Sequence, residues 1–249
     1  MLGCYLETYL SERIAIRLNL KLRNHLTEVL LDGLKGMDQA DTLVILSAYC
    51  RAVRANGKTR VGLKDLAPSK DLILSNYGIF SIDMDGSESD PMVDLLPQFC
   101  QEVDYLCERI TAYSRVLAAA CKVSASLESL DWAVKIGVLL FNEALYFECH
   151  EFLEGFWRKE KAQTKEFLQG IISLATALYH LERSNRPSAI KLFADGRCRL
   201  QAFGSSHKGL AIEPLLEQTE KIQILVEEGS PAALEQLKRM PPPTIQFYR

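Results

Sequence analysis

The segment 141–203 opens with FNEALYFECHEFLEGFWRKE (141–160) and continues with EFLQGIISLATALYHLERSN (166–185). Apolar and aromatic residues fill most of its positions, and runs of this length favour helices over strands. Polar side chains lie inside these runs, among them His150, Glu154 and His180. A polar group among apolar neighbours costs free energy unless it is paired or bound. The segment is therefore expected to hold both a helical core and any functional site.

The rest of the chain also reads as helical, and no strand pattern is strong anywhere. Short connections between consecutive helices make neighbours antiparallel. The predicted fold class is therefore all-α, a multi-helix bundle built from antiparallel helical hairpins. Helices are predicted over about 6–36, from a cap at Asp38 or Asp41 to about 55, and over about 91–123, 127–142, 146–161, 164–183, 187–203, 211–228 and 231–239.

Two domains are predicted, with the boundary at Ser124–Ser126. Residues 1–125 form an N-terminal helical domain that contains an irregular acidic connector over 57–90, where glycine, proline, serine and acidic residues break the helical pattern. Residues 126–249 form the helical bundle that carries the segment described above. The three prolines at 241–243 end helical structure and predict an extended segment.

Composition excludes some classes of function. The net charge of −3 gives no basis for nucleic-acid binding. The seven cysteines include no Cys-x-x-Cys pair, as expected of a reduced, cytoplasmic protein. No signal peptide and no apolar run long enough to span a membrane are present, so we expect neither export nor membrane insertion. The sequence does not indicate an oligomeric state.

Two polar stripes run along the helices predicted at 146–161 and 164–183. At about 100° per residue, His150 and Glu154 lie about 40° apart on one helix face, and Glu151 lies on the flank. Trp157 extends the same stripe, so we expect it to be mostly buried against the following helix. Gln169 lies near the line of His180 on the second helix. The simplest packing brings these two stripes face to face.

Two hypotheses follow from the stripes. In the first, they line a pocket that binds a small molecule or a divalent metal. Such a pocket could belong to an enzyme of unknown reaction. The sequence His150-Glu-x-x-Glu154 is related to the zinc-protease pattern His-Glu-x-x-His, and His150, Glu154 and His180 are candidate metal ligands. In the alternative, the polar groups satisfy one another in a buried structural network. The helical hairpins would then serve as a protein-interaction module.

The same residues resemble the signature of a known family, the domain of unknown function 309. The resemblance covers about residues 136–200 and implies a compact bundle of short helices with no established activity. It also adds Asn185 to the candidate site residues. The positions that carry it are Phe141, Asn142, Tyr146, Phe147, Glu148, His150, Glu151, Leu153, Glu154, Trp157, Phe167, Leu168, Gln169, Gly170, Tyr179, His180, Asn185 and Ala189.

The sequence departs from the family pattern at two turns. Ser184 and Ser188 stand where the family usually has glycine, and Glu143-Ala144 replaces another turn that usually carries glycine. Because glycine alone adopts positive φ without steric cost, we expect these turns to differ.

Overall fold

The structure, a computed structural model, describes residues 20–35, 40–62, 66, 80–83, 92–127 and 129–248. The chain divides into two compact units, one spanning Ile16–Cys121 and the other including Lys122–Arg249. Across the described residues, α-helices predominate and the strands form two small antiparallel sheets. The predicted all-α class is thereby confirmed.

The first unit combines helices with one three-stranded antiparallel sheet. Its core includes Tyr49, whose ring contacts Phe80 edge to face at 4.9 Å between centroids. The sheet has the order β1-β3-β2, with Val93 of the central strand opposite both Val61 and Ile82. The elements are α1 (Leu20–Leu34), α2 (Ala40–Asn56), β1 (Val61–Gly62), β2 (Phe80–Asp83), β3 (Met92–Leu95), a 3-10 helix (Pro97–Glu102) and α3 (Val103–Ala120).

One predicted helix boundary in this unit is wrong. The sequence predicts a helix beginning at about Pro91, but Met92–Leu95 is a strand and the α-helix begins at Val103. The strand alternates half-buried and buried side chains, with Val93 and Leu95 inside, which is the period of a half-buried strand. Most of the predicted 57–90 connector, and residues 6–19 of the predicted first helix, lie outside the described residues.

The second unit is a series of consecutive helices joined by short turns, as predicted. Serine caps two of them: Ser129 accepts a hydrogen bond from the Trp132 amide at 3.1 Å, and Ser230 does the same for Ala233. The second unit also contains a small three-stranded sheet of order β4-β5-β6. The elements are α4 (Leu130–Asn142), α5 (Tyr146–Trp157), α6 (Ala162–Glu182), α7 (Arg186–Gln201), β4 (Ser206–His207), β5 (Leu210–Ala211), α8 (Ile212–Glu228), α9 (Pro231–Arg239) and β6 (Gln246–Phe247).

The turns after α4 and α6 keep a left-handed residue although glycine is missing from both. Ala144 has φ 54° and Ser184 has φ 59°. At each turn the next amide donates five residues back, Leu145 to the Leu140 carbonyl and Asn185 to the His180 carbonyl. This is the hydrogen-bond pattern of the Schellman motif, which normally places glycine at the left-handed position. The turn geometry is therefore that of a glycine turn, formed here by alanine and serine.

Glycine allows very close packing between α6 and α7. A Cβ on Gly196 would lie 2.9 Å from the Gly170 carbonyl oxygen and 2.8 Å from the Leu174 side chain. A Cβ on Gly170 would in turn lie 2.6 Å from Leu200. No side chain fits between the two backbones at this crossing, so glycine sets the spacing of these helices.

Candidate functional site

Helix α5 carries the first polar stripe on its half-buried side. The opposite side is core, because Cys149 and Leu153 are completely buried. The His150 and Glu154 side chains keep 28% and 29% of their surface exposed. The stripe thus borders solvent and is not enclosed in the bundle.

Each polar side chain of this stripe pairs within its own helix or just after it. His150 Nδ1 lies 3.1 Å from a carboxylate oxygen of Glu151. Glu154 forms an ion pair with Arg158 at 3.0 Å, one turn further on. The Glu154–Arg158 pair spans one helical turn, and exposed pairs of this spacing stabilise a helix by tenths of a kcal/mol.

Trp157 is neither fully buried nor exposed, and most of its surface is covered. Its ring lies against the following helix through Lys165, whose Nζ is 4.0 Å from the ring centroid. The indole N–H is enclosed and has no hydrogen-bond partner among the described residues. Trp157 is the last residue of α5, and part of its surface remains exposed.

Gln169 of α6 belongs to a network that connects α6 with α7. Its amide donates to Ser173 Oγ at 3.3 Å, and the buried Ser173 hydroxyl donates to Asp195 at 2.6 Å. Arg199 binds the same carboxylate at 3.0 Å and also pairs with Glu166. The sequence did not point to Asp195, Arg199 or Glu166, because their relation to Ser173 depends on how the two helices pack.

The charge of Asp195 is stabilised by this network. Burial alone would raise the pKa of the Asp195 carboxyl. The hydrogen bonds from Arg199 and Ser173 outweigh burial and hold that pKa below its usual range. Asp195 is therefore a carboxylate that holds two helices together.

His180 lies in a row of rings at the other end of the hairpin. Phe147 contacts Tyr179 at 5.4 Å between centroids and His150 at 6.4 Å. Tyr179 contacts His180 at 5.8 Å. Burial, and then the nearby Arg183, lower the pKa of the His180 imidazole. At neutral pH His180 is therefore an uncharged ring beside two aromatic ones.

Asn185, the candidate added by the family resemblance, caps α7. Its side-chain carbonyl accepts from the Ser188 amide at 3.3 Å. Its side chain thus does what an N-cap residue does for the first turn of a helix.

The two stripes do not bond to each other. Within the described residues, no hydrogen bond or ion pair joins His150 or Glu154 to Gln169 or His180. The same part of the chain contains no group of three or more His, Cys, Asp or Glu residues placed to hold a metal ion. The stripes do not bond to each other because their side chains have local partners instead. His150 pairs with Glu151, Glu154 pairs with Arg158, and Gln169 bonds to Ser173.

Asn142, at the end of α4, makes a contact that the sequence did not reveal. Its side-chain amide donates to the Ile245 carbonyl at 3.0 Å and accepts from the Ile245 amide at 2.8 Å. The two residues lie 103 positions apart. The Phe141-Asn142 pair of the signature was the available signal, but nothing in it indicates such a distant partner.

Comparison with known proteins agrees with the resemblance predicted from the sequence. Residues 134–192 match the family model described as "Domain of unknown function (DUF309)", which confirms the predicted resemblance for this segment. A curated relative, "Uncharacterized protein YpuF" from Bacillus subtilis (strain 168), is 36% identical over 88 residues, which is 34% of this chain. The aligned part covers 51% of that relative, about half its length. No solved structure matches the chain.

Among the described residues, no helix is both long enough and apolar enough to cross a membrane.

Proposed function

We propose that the second unit is a protein-interaction module that binds its partner on one face of the α5–α6 hairpin. This α5–α6 face consists of Phe147, His150, Glu151, Glu154 and Trp157 on α5, and Lys165, Gln169, Thr176, Tyr179 and His180 on α6. This is the second of the two hypotheses drawn from the sequence, with one change: the polar stripes contact the partner protein and do not serve only the fold.

The observation that carries the proposal is the exposure of the candidate side chains. All seven predicted site residues are half-buried, and the two stripes make no hydrogen bond to each other. A polar network that served only the fold would be buried and mutually bonded, because unpaired buried polar groups are costly. Half-exposed groups with only local partners can still bind a second molecule.

The composition of the face supports a protein partner. Trp157 and Tyr179 are half-buried, and arginines lie beside both: Arg158 follows Trp157, and the Arg183 guanidinium is 5.9 Å from the Tyr179 ring centroid. Tryptophan, tyrosine and arginine are the residues enriched where binding energy concentrates in protein interfaces. A rigid aromatic side chain with a polar end contributes much contact area at little entropic cost.

The scaffold behind the face is rigid, which favours binding without rearrangement. The Gly170–Gly196 crossing and the Ser173–Asp195–Arg199 network fix α6 against α7. Side chains held on a preorganised surface lose less entropy on binding than those on a mobile one.

A small polar molecule is a second candidate ligand, and one observation favours it. The enclosed Trp157 indole N–H has no acceptor among the described residues. A ligand carbonyl or carboxylate would satisfy this donor, and the nearby Lys165 would favour an anionic group. A metal is not proposed, because the candidate ligands do not form a group of three.

A double variant tests the face as a whole. His150→Phe with Glu154→Leu removes both polar groups, and their partners Glu151 and Arg158 remain in contact with solvent, so the fold should be retained. We expect a melting temperature close to that of the wild type and failure to complement a deletion strain of the source organism. The matched control is Glu217→Leu with Lys221→Phe, which makes the same kinds of change at the same spacing on exposed positions of α8. Full complementation by the α5 variant would contradict the proposal.

Cross-linking then separates a protein partner from a small molecule. A photoreactive residue at Thr176, on the face, should give a discrete protein adduct in cells of the source organism, whereas the same residue at Lys221 should not. The adduct should disappear in the His150→Phe, Glu154→Leu background. Loss of complementation without any adduct at Thr176 would favour the small-molecule candidate.

A further inference from the structure

The segment 241–248, here called the closing segment, is held in the second unit as a bound peptide would be. Gln218 of α8 donates to the Thr244 carbonyl at 3.2 Å and accepts from the Thr244 amide at 3.0 Å. Asn142 of α4 makes the same pair of bonds to Ile245. Two side-chain amides therefore bind two successive residues of the segment through their backbone.

This arrangement reproduces the pairing of a β-ladder. In an extended chain the N–H and C=O of one residue point to the same side, and those of the next residue point to the other. A side-chain amide offers one face with a donor and an acceptor, like a peptide group. Asn142 and Gln218 thus clamp the segment from its two sides.

After the residues bound by Asn142 and Gln218, the closing segment forms strand β6, which pairs with β5. Gln246 and Phe247 of β6 pair antiparallel with Ala211 and Leu210 of β5. The Tyr248 amide then donates to the Gly209 carbonyl at 2.7 Å. Adding an extended peptide to the edge of a sheet is a general mode of peptide binding.

Side chains of the closing segment contribute at only a few positions. Pro243 and Ile245 are buried, the latter with 2% of its surface exposed. Thr244 is half-buried, and Gln246, Phe247 and Tyr248 are exposed. The site therefore contacts the backbone of the segment and the side chains of one proline and one aliphatic residue. At the exposed positions of the segment it should accept other residues.

We propose that Asn142, Gln218 and strand β5 form a peptide-binding groove that the closing segment occupies in cis. The ligand it fits is an extended segment of a partner protein that carries an aliphatic residue at the Ile245 position and proline two residues before it. An attached segment competes at an effective concentration in the millimolar range. The groove is consequently open to a partner only when the closing segment leaves it. This site is separate from the α5–α6 face and does not depend on the function proposed for that face.

The test uses the full chain with its own segment disabled. Ile245→Glu places a charge in the apolar position and should release the segment. A fluorescent peptide with the sequence PPPTIQFY, residues 241–248, should then bind this variant and bind the wild type at least tenfold more weakly. Gln246→Glu changes an exposed side chain of the same segment and is the matched control, which should behave as the wild type. Adding Asn142→Leu to Ile245→Glu should weaken peptide binding roughly tenfold or more, since two hydrogen bonds are lost.

Hydrogen exchange provides a second measurement that does not require a folded Ile245→Glu variant. The Thr244, Ile245 and Tyr248 amides should be protected in the wild type, and Asn142→Leu should speed exchange at Ile245. A folded Ile245→Glu variant that fails to bind the peptide would overturn the proposal. Equal binding by wild type and variant, or a wild-type dimer in which the segments are exchanged between copies, would overturn it as well.

Discussion

Helix α6 has two sides with opposite properties. Toward α7 its contacts are tight and closed, with glycine at the crossing and a buried serine bonded to Asp195. Toward α5 and solvent it presents half-buried residues, among them Lys165 against Trp157 and Tyr179 against Phe147. Polar residues of one helix thus serve packing on one side and remain partly exposed on the other.

We expect the largest loss of stability from a change on the side of α6 that packs against α7. Gly196→Ala would place a Cβ 2.9 Å from the Gly170 carbonyl oxygen, which belongs to a helix backbone and cannot move aside. We expect a loss of about 2–3 kcal/mol in the free energy of unfolding, measured by chemical denaturation. Gly155→Ala in α5, where an added Cβ meets nothing within 4 Å, is the control and should gain about 0.5–1 kcal/mol. Equal effects at the two positions would remove the distinction between the two sides of the hairpin.

A smaller effect is expected from the polar network on the same side. Asp195→Ala removes the acceptor of the buried Ser173 hydroxyl and one partner of Arg199. The expected cost is about 1–2 kcal/mol, because a buried hydroxyl loses its charged acceptor. Lys135→Ala, which breaks the exposed pair with Asp131, should cost no more than about 0.5 kcal/mol. A cost for Asp195→Ala as small as that of the control would show that the network does not hold the helices.

The turns that end α4 and α6 should give a gain in stability. Ser184→Gly and Ala144→Gly each remove the cost of a left-handed conformation at a residue with a Cβ. We expect about 0.5–1 kcal/mol of added stability for each, after allowing for the greater freedom of glycine in the unfolded chain. Ser188→Gly lies within α7 and should instead lower stability. Stabilisation by Ser188→Gly and not by Ser184→Gly would contradict this account of the turns.

The smallest effect is expected on the pH dependence of the free energy of unfolding, through His180. The pKa of His180 is lowered in the folded state, so below the unfolded value of about 6.5 the unfolded chain binds the proton more readily. Stability should therefore fall as the pH drops through and below that value, and this contribution should be absent at higher pH. His180→Gln should make the unfolding free energy less dependent on pH between 7 and 5. His207, whose pKa burial also lowers, accounts for part of the remaining slope. An unchanged slope in His180→Gln would mean that the His180 environment is as polar as water.

Sequence patterns predicted the helices of the second unit well, for physical reasons that are local. Pro231 and Ser230 begin α9 where a capping serine and a first-turn proline belong, and the predicted range 231–239 is the observed one. The first unit was harder, because Met92–Leu95 is a strand only by virtue of partners on both sides. Two-residue and four-residue strands are too short for their period to stand out in a sequence.

The candidate site illustrates the same limit. Helical spacing placed His150 with Glu154 and Gln169 with His180 on common faces, which depends only on the rise and turn of a helix. It did not indicate which neighbour each side would meet, so Gln169 was paired with α5 in the prediction and bonds to Ser173 instead. Asp195 and Asn142 were missed because their partners are set by tertiary packing, 22 and 103 residues away.

The clamp on residues 244 and 245 has a consequence for how the molecule is made. Chains are synthesised from the amino end, and domains fold as their residues become available. Asn142 and Gln218 are therefore translated before the residues they bind, and the groove is complete in sequence before its own occupant is. A nascent chain therefore contains every residue of the proposed groove before it contains the closing segment.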